Sequence, residues 1–274
     1  MSGKIYVVGT PIGNLEDFSP RAQRVLAEAD FIAAEDTRVT QKLLNHFGIK
    51  KETVSYYEHN KLQKGEYLIN RVLGGENLAI VSDAGMPAIS DPGEDLVCRA
   101  HKEGITVESV PGPSALITAL SISGFPAGRF CFEGFLSVNR ISRTKHLEEI
   151  KNETRTLIFY EAPHKLLKTL TDMKEVFGER DICILKELTK IHETVYRFTL
   201  SSAIDYFTEN KPRGEYVLII KGAEIKDETP GLTLAEAQAL AKKLIGEGMS
   251  ASAAAKEAAQ ASGLKKGDIY KAIV

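Results

Sequence analysis

Cysteine is scarce in this sequence, and its spacing excludes the protein classes that depend on it. The three cysteines, Cys98, Cys131 and Cys183, are spread over 274 residues and form no CxxC pair. A disulfide framework or a zinc knuckle is therefore not expected, and a reducing compartment fits this composition. The six histidines include no HExxH motif and no cluster at metal-ligand spacing, so the sequence predicts no metal site.

Long apolar runs are missing as well. No segment approaches the ~20 apolar residues that are needed to cross a bilayer. The N-terminal stretch MSGKIYVVGTP has an apolar run too short for a signal peptide, and it lacks a small-residue cleavage site. We therefore expect a soluble cytoplasmic protein.

The sequence also has no excess of positive charge. Lys and Arg number 35 against 37 Asp and Glu, and the formal net charge is −2. This balance excludes a strong overall attraction to nucleic acid, so any such partner must be met by a local basic surface. Apolar residues make up 43% of the chain, which is enough to build buried cores.

The first half of the chain alternates strand-like and helix-like segments. Apolar, β-branched runs occur at Lys4–Gly9, Phe31–Glu35, Thr53–Tyr57, Leu78–Ser82 and Ile105–Val110. Helical spacing occurs at Pro20–Ala29, Thr37–Phe47, Leu62–Leu73, Glu94–Glu103 and Ser114–Ser121. Such a series predicts an α/β fold with a mostly parallel sheet, whose ligands bind beyond the carboxyl ends of the strands.

The second half has more strands than helices. After a Gly/Pro-rich hinge at Ser123–Arg129, five strand-like segments alternate with three helical ones, which predicts a mixed sheet. A polar linker, Gly222–Gly231, precedes three short Ala-rich helices that predict a helix-turn-helix-like module. We thus predict an N-terminal α/β domain of residues 1–123, a C-terminal α/β domain of residues 124–228 and a helical module of residues 229–274.

The loop SDAGMPAISDPG, Ser82–Gly93, follows a buried strand and has an unusual composition. It contains Asp83 and Asp91 but no Lys or Arg, so it would repel a phosphate. Its glycines allow close backbone approach, and its prolines remove N–H donors. This composition favours a ligand with amino groups and a positive centre, such as S-adenosylmethionine. The alternative is two consecutive turns, with Asp91 capping the next helix.

Two more loops follow strands at the same sheet edge. They are VGTPIGN, Val8–Asn14, and VPGPSA, Val110–Ala115, in which Ser114 is well placed to cap the next helix. Neither loop has the GxGxxG pattern of a Rossmann dinucleotide site, and the glycine-rich fingerprint of the common methyltransferase fold is absent. Three Pro/Gly loops at one edge predict a pocket.

These loops belong to a longer series of segments that resembles a known family. VGTPIGNLED, AEDTR, SDAGMPAISDPG, VPGPSA, FEGFL, YEAPHK, KELTKIHE and RGEYVL occur in the order found in the tetrapyrrole methylase superfamily. From Lys4 to Val274 the chain resembles the subgroup that methylates ribose 2′-hydroxyls in small-subunit ribosomal RNA. One departure is Ser82-Asp83-Ala84, where the wider superfamily carries Gly-Asp-Pro.

The resemblance implies a fold, a cofactor, a substrate and an assembly. It implies two α/β domains with S-adenosylmethionine in the cleft between them, and a homodimer. The implied substrate is a cytidine in the decoding region of 16S ribosomal RNA, within the assembled small subunit. The residues expected to line the cofactor cleft are Pro11, Asp83, Ala84, Gly85, Met86, Pro87, Ser114, Ala115, Tyr160, Leu188 and Tyr216. Without the resemblance, packing or capping is the commoner role for such residues.

Four charged residues are candidates for the catalytic, RNA-facing side. A ribose hydroxyl is a weak nucleophile, so a base or an electrostatic stabiliser is expected. A lysine with a lowered pKa could act as the base, and Lys190 is our candidate. Glu187 accompanies it, although both also fit an ordinary charged strand edge. Asp36 and Arg38 follow the second strand, where Asp36 also fits a helix cap and Arg38 a solvated helix face.

Three further residues are weaker candidates for contact with the substrate. Glu161 and His164 lie in YEAPHK, where Pro163 is expected at the first position of the next helix. His59 lies in a loop after the third strand.

RNA phosphates require basic side chains, and two regions supply them. One is the predicted helix within Asn139–Lys151, and the other is the tail, with Lys242, Lys243, Lys256, Lys265 and Lys266 against four acidic residues. Two other functions stay open at this point. They are methylation of a tetrapyrrole carbon and a non-catalytic role as an RNA-binding protein in ribosome assembly.

Overall fold

The computed structural model describes residues 2–224 and 232–274, and it divides into two compact units between Ala223 and Glu224. Most of the predicted linker Gly222–Gly231, and the predicted boundary between residues 228 and 229, lie outside the described residues. Within the described ranges, no helix combines the length and the apolar character that a membrane crossing requires.

A five-stranded parallel sheet forms the first half of the first unit, as the sequence predicts. Its strands are β1 (Lys4–Val8), β2 (Phe31–Ala34), β3 (Glu52–Ser55), β4 (Leu78–Val81) and β5 (Thr106–Val110). They lie in the order β3-β2-β4-β1-β5. Every residue of β2 and β4 is buried, because helices cover both faces of the sheet. All five carboxyl ends therefore meet at one edge.

Four α-helices connect these strands, and a fifth follows the last strand. They are α1 (Pro20–Glu28), α2 (Thr37–His46), α3 (Lys61–Leu73), α4 (Glu94–Lys102) and α5 (Ala115–Ser123), with a short 3-10 helix at Leu15–Asp17. Asp36 caps α2 through its carboxylate, which accepts a hydrogen bond from the Arg38 amide at 2.8 Å. The predicted cap at Asp36 is thus confirmed. The alternative cap at Asp91 is not present, since α4 begins after Gly93 with no side-chain cap.

A mixed sheet forms the second half of the first unit. Its strands are β6 (Phe130–Phe135), β7 (Thr156–Glu161), β8 (Asp181–Lys186), β9 (Thr194–Thr199) and β10 (Tyr216–Ile220), in the order β6-β7-β10-β8-β9. Strands β6 and β7 are parallel, and β10 runs antiparallel to both β7 and β8. The first residues of β10 therefore lie at the edge where β7 and β8 end.

Three helices accompany the mixed sheet, namely α6 (Arg140–Ile150), α7 (Leu166–Phe177) and α8 (Leu200–Glu209). The helix that was expected to begin at Pro163 begins three residues later, at Leu166. The Lys165 and Leu166 amides both donate to the Ala162 carbonyl, which closes a turn before the helix begins. Pro163 lies in that turn and is not the first helical residue.

Within residues 232–274 the second unit forms three helices, α9 (Leu234–Gly246), α10 (Ala251–Ser262) and α11 (Lys266–Ile273), the number that the sequence predicts. Thr233 and Glu236 form a capping box at the start of α9. The core consists largely of alanines, with Ile269 as its large buried side chain. Small side chains let the helix axes approach closely, which explains how such a short unit excludes water from its centre.

Candidate active site

Three loops that follow β1, β4 and β5 pack against one another at the carboxyl edge of the parallel sheet. Thr10 and Gly85 exchange two backbone hydrogen bonds, of 2.9 and 3.2 Å. A Cβ atom on Gly9 would lie 2.6 Å from the Met86 sulfur and 2.7 Å from the Gly112 backbone. Only glycine fits so close a contact, so Gly9 and Gly112 bring the loops together.

The loops after β2 and β4 are also joined. The Asp36 amide donates to Asp83 Oδ1 at 3.0 Å, and the Asp83 amide donates to Glu35 Oε2 at 3.4 Å. These strands are neighbours in the sheet, so their carboxyl ends hold three acidic side chains side by side. Two of the three, Glu35 and Asp83, face a cavity.

The cavity has a volume of about 620 Å³ and lies between the carboxyl edge of the parallel sheet and the mixed sheet. Its walls are Ile12, Glu35, Asp83, Ala84, Gly85, Met86, Ile89, Ser90, Asp91, Ser114, Ala115, Phe135, Tyr160, Glu161, Ala162, Pro163, Leu185, Leu188, Glu215, Tyr216 and Val217. Of the eleven residues predicted to line the cofactor cleft, nine are among these, while Pro11 and Pro87 are not. Each of the two prolines adjoins a lining residue, Ile12 or Met86.

The wall from the parallel sheet is acidic. Burial raises the pKa of Asp83 and of Asp91, and burial followed by repulsion from Asp91 and Asp83 raises the pKa of Glu35. Among the described residues, no Lys, Arg or His lines the cavity, and none forms an ion pair with these three carboxylates. The site therefore favours a cationic ligand and disfavours an anionic one.

Tyr160 links the two walls. Its hydroxyl accepts a hydrogen bond at 3.0 Å from the Leu116 amide in the first turn of α5, and its ring packs against Phe132 and Phe135. Burial raises the pKa of Tyr160. Ser114 is the N-cap residue of α5, as predicted, but its side chain makes no capping hydrogen bond, and the Tyr160 hydroxyl accepts at this helix end instead.

Glu161 lies in the cavity wall, but both of its carboxylate oxygens bind groups of the residues that follow it in the chain. Its Oε1 accepts from the Ala162 amide at 2.8 Å and pairs with Lys165 Nζ at 2.9 Å, while Oε2 accepts from the Thr169 hydroxyl at 2.6 Å. Glu161 therefore organises the YEAPHK segment. His164 and His59 are both exposed and do not line the cavity.

Lys190 lies beside the cavity, bound to two carboxylates. Its Nζ is 2.7 Å from Glu215 Oε2, in the cavity wall, and 3.0 Å from Glu187 Oε1. Burial alone lowers the pKa of Lys190, but the hydrogen bonds to Glu215 and Glu187 outweigh it and raise the pKa. The expectation of a lowered pKa is wrong, since the two carboxylates stabilise the ammonium form.

Glu187 is positioned by an unusual backbone. It has a φ of +53°, and a Cβ on Gly214 would lie 2.6 Å from its side chain. Burial raises the pKa of Glu187, but hydrogen bonds to Lys190 and to the Glu215 amide lower it overall. Gly214 is thus required for Glu187 to reach Lys190.

The structure does not bring Asp36 and Arg38 into the cavity wall. They form an ion pair of 2.6 Å with each other, and the hydrogen bond from Arg38 lowers the pKa of Asp36 to about 2. The Arg38 side chain is otherwise exposed. Asp36 touches the site only through the bond from its amide to Asp83.

Several residues that line the cavity were not predicted individually, although they lie within the segments that carry the family resemblance. Glu35 lies in AEDTR, Phe135 in FEGFL and Glu215 in RGEYVL, so their segments were the available signal. Ile12, Ile89 and Ser90 lie in the predicted loops. Leu185 and Val217 lie in buried strands, which no local pattern distinguishes from the core.

The predicted basic helix is largely neutralised. Arg143 is buried and pairs with Asp172 at 2.5 Å, while Arg140 pairs with Glu175 at 2.9 Å and Lys151 with Glu148 at 2.6 Å. The tail lysines Lys242, Lys243, Lys256, Lys265 and Lys266 are all exposed. In residues 2–224 and 232–274, no group of three or more His, Cys, Asp or Glu is arranged to hold a metal ion.

Comparison with known proteins gives matches over nearly the whole chain. Residues 4–204 match the family model of the tetrapyrrole (corrin/porphyrin) methylases, and residues 233–274 match a model described as the RsmI C-terminal HTH domain. A protein of Synechocystis sp. named ribosomal RNA small subunit methyltransferase I is 45% identical over 270 residues, which are 98% of this chain and 96% of that protein. A protein of the same name from Halalkalibacterium halodurans is 48% identical over 271 residues, 98% of this chain and 93% of that protein.

Among solved structures, the uroporphyrin-III-C-methyltransferase of Thermus thermophilus has a similar fold. The TM-score is 0.57 at 21% sequence identity, over 80% of this chain and 94% of that one. At this identity the similarity concerns the fold alone.

Proposed function

Because the chain belongs to the tetrapyrrole methylase family, we propose that it is an S-adenosylmethionine-dependent methyltransferase of small-subunit ribosomal RNA. The predicted resemblance to this family is confirmed. Full-length relatives at 45–48% identity carry the ribosomal RNA name, which favours RNA over a tetrapyrrole as substrate. The proposed target is the ribose 2′-hydroxyl of a cytidine in the decoding region.

The observation that carries the choice of cofactor is the acidic wall, which has no cation among the described residues that line it. When bound, S-adenosylmethionine supplies an electrophilic methyl group on a positively charged sulfur. Glu35, Asp83 and Asp91 would receive its ammonium and amino groups, and we place Asp83 at its amino acid or ribose part. Met86 and Leu188 offer apolar surface to the remainder.

The proposed role of Lys190 follows from its charge state. An ammonium group held between Glu187 and Glu215 has no free lone pair, so in this state it cannot accept the hydroxyl proton. It can instead stabilise the negative charge that develops on the ribose oxygen as the hydroxyl gives its proton to solvent water and the oxygen attacks the methyl group. Because its two carboxylate partners fix the side chain, the stabilisation needs little reorganisation during the reaction.

A methyl-transfer assay tests the proposed function. Small subunits from cells that lack this protein, naked 16S ribosomal RNA and a porphyrinoid are each incubated with the protein and S-adenosylmethionine labelled on the methyl group. We expect label in the assembled subunit, at one cytidine ribose in the decoding region. Label in the porphyrinoid alone would support methylation of a tetrapyrrole instead. If no substrate is labelled, the proposal that the protein is a methyltransferase is contradicted.

The second unit provides the proposed RNA-binding surface, since its lysines are exposed and the helix at Arg140–Ile150 is neutralised. A protein ending at Gly231 should bind the small subunit at least about tenfold more weakly, with a shallower salt dependence. Its affinity for S-adenosylmethionine should be unchanged. If the full-length and the shortened protein bind the ribosomal small subunit equally well, the three-helix unit does not have this role. Light scattering on these two proteins tests the proposed homodimer.

A further inference from the structure

Ile191 is the most exposed large apolar side chain among the described residues. It is 98% exposed and belongs to the turn between β8 and β9. Leu188, three residues earlier, lines the cavity, and the adjacent Lys190 pairs with Glu215 of the cavity wall. A single exposed isoleucine is ordinary on a protein surface. Ile191, however, lies next to Lys190 at the edge of the cavity, so a role in substrate binding is worth testing.

The turn that carries Ile191 is fixed by several contacts. Glu187 and Thr189 have φ values of +53° and +63°, which residues other than glycine seldom adopt. The Thr189 amide donates to Glu193 Oε2 at 2.6 Å, and the Glu193 amide donates to the Lys190 carbonyl at 3.0 Å. Such a backbone persists only where surrounding contacts determine it. Ile191 is therefore presented on a rigid support.

The residues around this turn indicate how it would meet the proposed RNA substrate. Ile191 is flanked by Lys190 and by His192, which is exposed. Gly13 lies so close that a Cβ there would be 2.6 Å from Lys190 Cγ, so the stem of the lysine is also held in place. Lys190 is paired with Glu187 and Glu215, so the part of this turn that is free to meet a partner is Ile191, and apolar side chains can enter and open a stack of bases.

We propose that Ile191 is an apolar wedge that inserts between bases of the RNA substrate, next to the nucleotide that is methylated. A nucleotide inside a folded RNA must leave its stack before an enzyme cavity can receive it. Insertion of Ile191 fills the space that the nucleotide vacates, and its ribose can then reach the rim where Lys190 lies. This inference rests on the proposed function, because it concerns how the same site receives RNA.

The first test measures methyl transfer to small subunits from cells that lack the protein. Ile191→Ala should lower the rate at limiting subunit roughly tenfold or more, because the stack is no longer held open. Ile191→Met, which keeps apolar length, should retain most of the rate. Neither variant should change the affinity for S-adenosylmethionine in calorimetry. Ile122→Ala is the matched control, since Ile122 lies in the last turn of α5, at the end opposite Ala115 of the cavity wall.

The second test probes the RNA itself with dimethyl sulfate. Bases that flank the methylated nucleotide should gain reactivity when the wild-type protein binds the subunit, and should not when Ile191→Ala binds. Wild-type rates for Ile191→Ala, or no change in reactivity with wild type, would overturn the inference. A wild-type dimer that dissociates in Ile191→Ala would assign the residue to a contact between two copies and overturn it too. If the wild-type protein does not methylate the subunit, the proposed function fails and this inference fails with it.

Discussion

The carboxylates in the two walls of the cavity differ in whether they form ion pairs with lysines. On the parallel-sheet wall, Glu35, Asp83 and Asp91 have raised pKa values and, within the described residues, no ion pair with a lysine or arginine. On the mixed-sheet wall, Glu161 pairs with a lysine at 2.9 Å and Glu215 with another at 2.7 Å. The first wall keeps negative charge available for a ligand, whereas the second uses its charge to fix lysines in place.

The largest expected effect comes from removing the lysine of the mixed-sheet wall. Lys190→Ala should lower methyl transfer to the small subunit by about 10²–10³-fold, because the stabiliser of the developing oxyanion is lost. Affinity for S-adenosylmethionine, measured by calorimetry, should change little, since the other wall is intact. Lys102→Ala, at the far end of α4, is the control and should behave as wild type. Normal turnover by Lys190→Ala would remove this residue from the mechanism.

Adding one methyl group to a glycine that packs beside either wall should separate the two functions. In Gly9→Ala the new Cβ meets Met86 and Gly112, so we expect weaker binding of S-adenosylmethionine and a loss of about 1–3 kcal/mol in the free energy of unfolding. In Gly214→Ala it meets Glu187, so methyl transfer should fall while binding of the cofactor persists.

Gly128→Ala is the matched control for this pair, because a Cβ there has no atom within 4 Å. Denaturant unfolding, calorimetry and the transfer assay are applied to all three variants. The same pattern of losses in Gly9→Ala and Gly214→Ala would mean that the walls do not have separate roles.

The smallest expected effect comes from Glu35→Gln in the acidic wall. This substitution should stabilise the fold but weaken binding of S-adenosylmethionine. A carboxyl group whose pKa is raised on folding stabilises the protein at low pH, and this contribution is lost as the pH rises through the raised pKa. At pH 7, Glu35→Gln should therefore raise the melting temperature by about 2 °C, and the gain should disappear below pH 4.5, the ordinary pKa of the group.

The same substitution should weaken binding of S-adenosylmethionine about three- to tenfold at pH 7, because a negative charge is lost. Wild-type affinity should fall with decreasing pH for the same reason. Scanning calorimetry and titration calorimetry measure both effects, with Glu66→Gln at an exposed position of α3 as the control. A Glu35→Gln protein that binds as tightly as wild type would contradict the role of this charge.

The sequence predicted the strands, the helices and the loops of the parallel-sheet wall because their signals are local. A short apolar run identifies β4, and the Asp/Gly/Pro composition identifies the loop with Asp83 and Asp91. The start of α7 was missed because of a local turn, whereas two other errors involve contacts between distant segments. Tyr160 accepts from the Leu116 amide, 44 residues away, and Glu215 raises the pKa of Lys190 from 25 residues away. No single-segment pattern contains such pairs.

Titration calorimetry of the wild-type protein with S-adenosylmethionine, and separately with ATP, tests the central claim most directly. The acidic wall with no lining cation predicts saturable binding of S-adenosylmethionine, weakened by Glu35→Gln, and no binding of ATP. Binding of ATP without binding of S-adenosylmethionine would contradict the claim that this cavity receives a positively charged methyl donor.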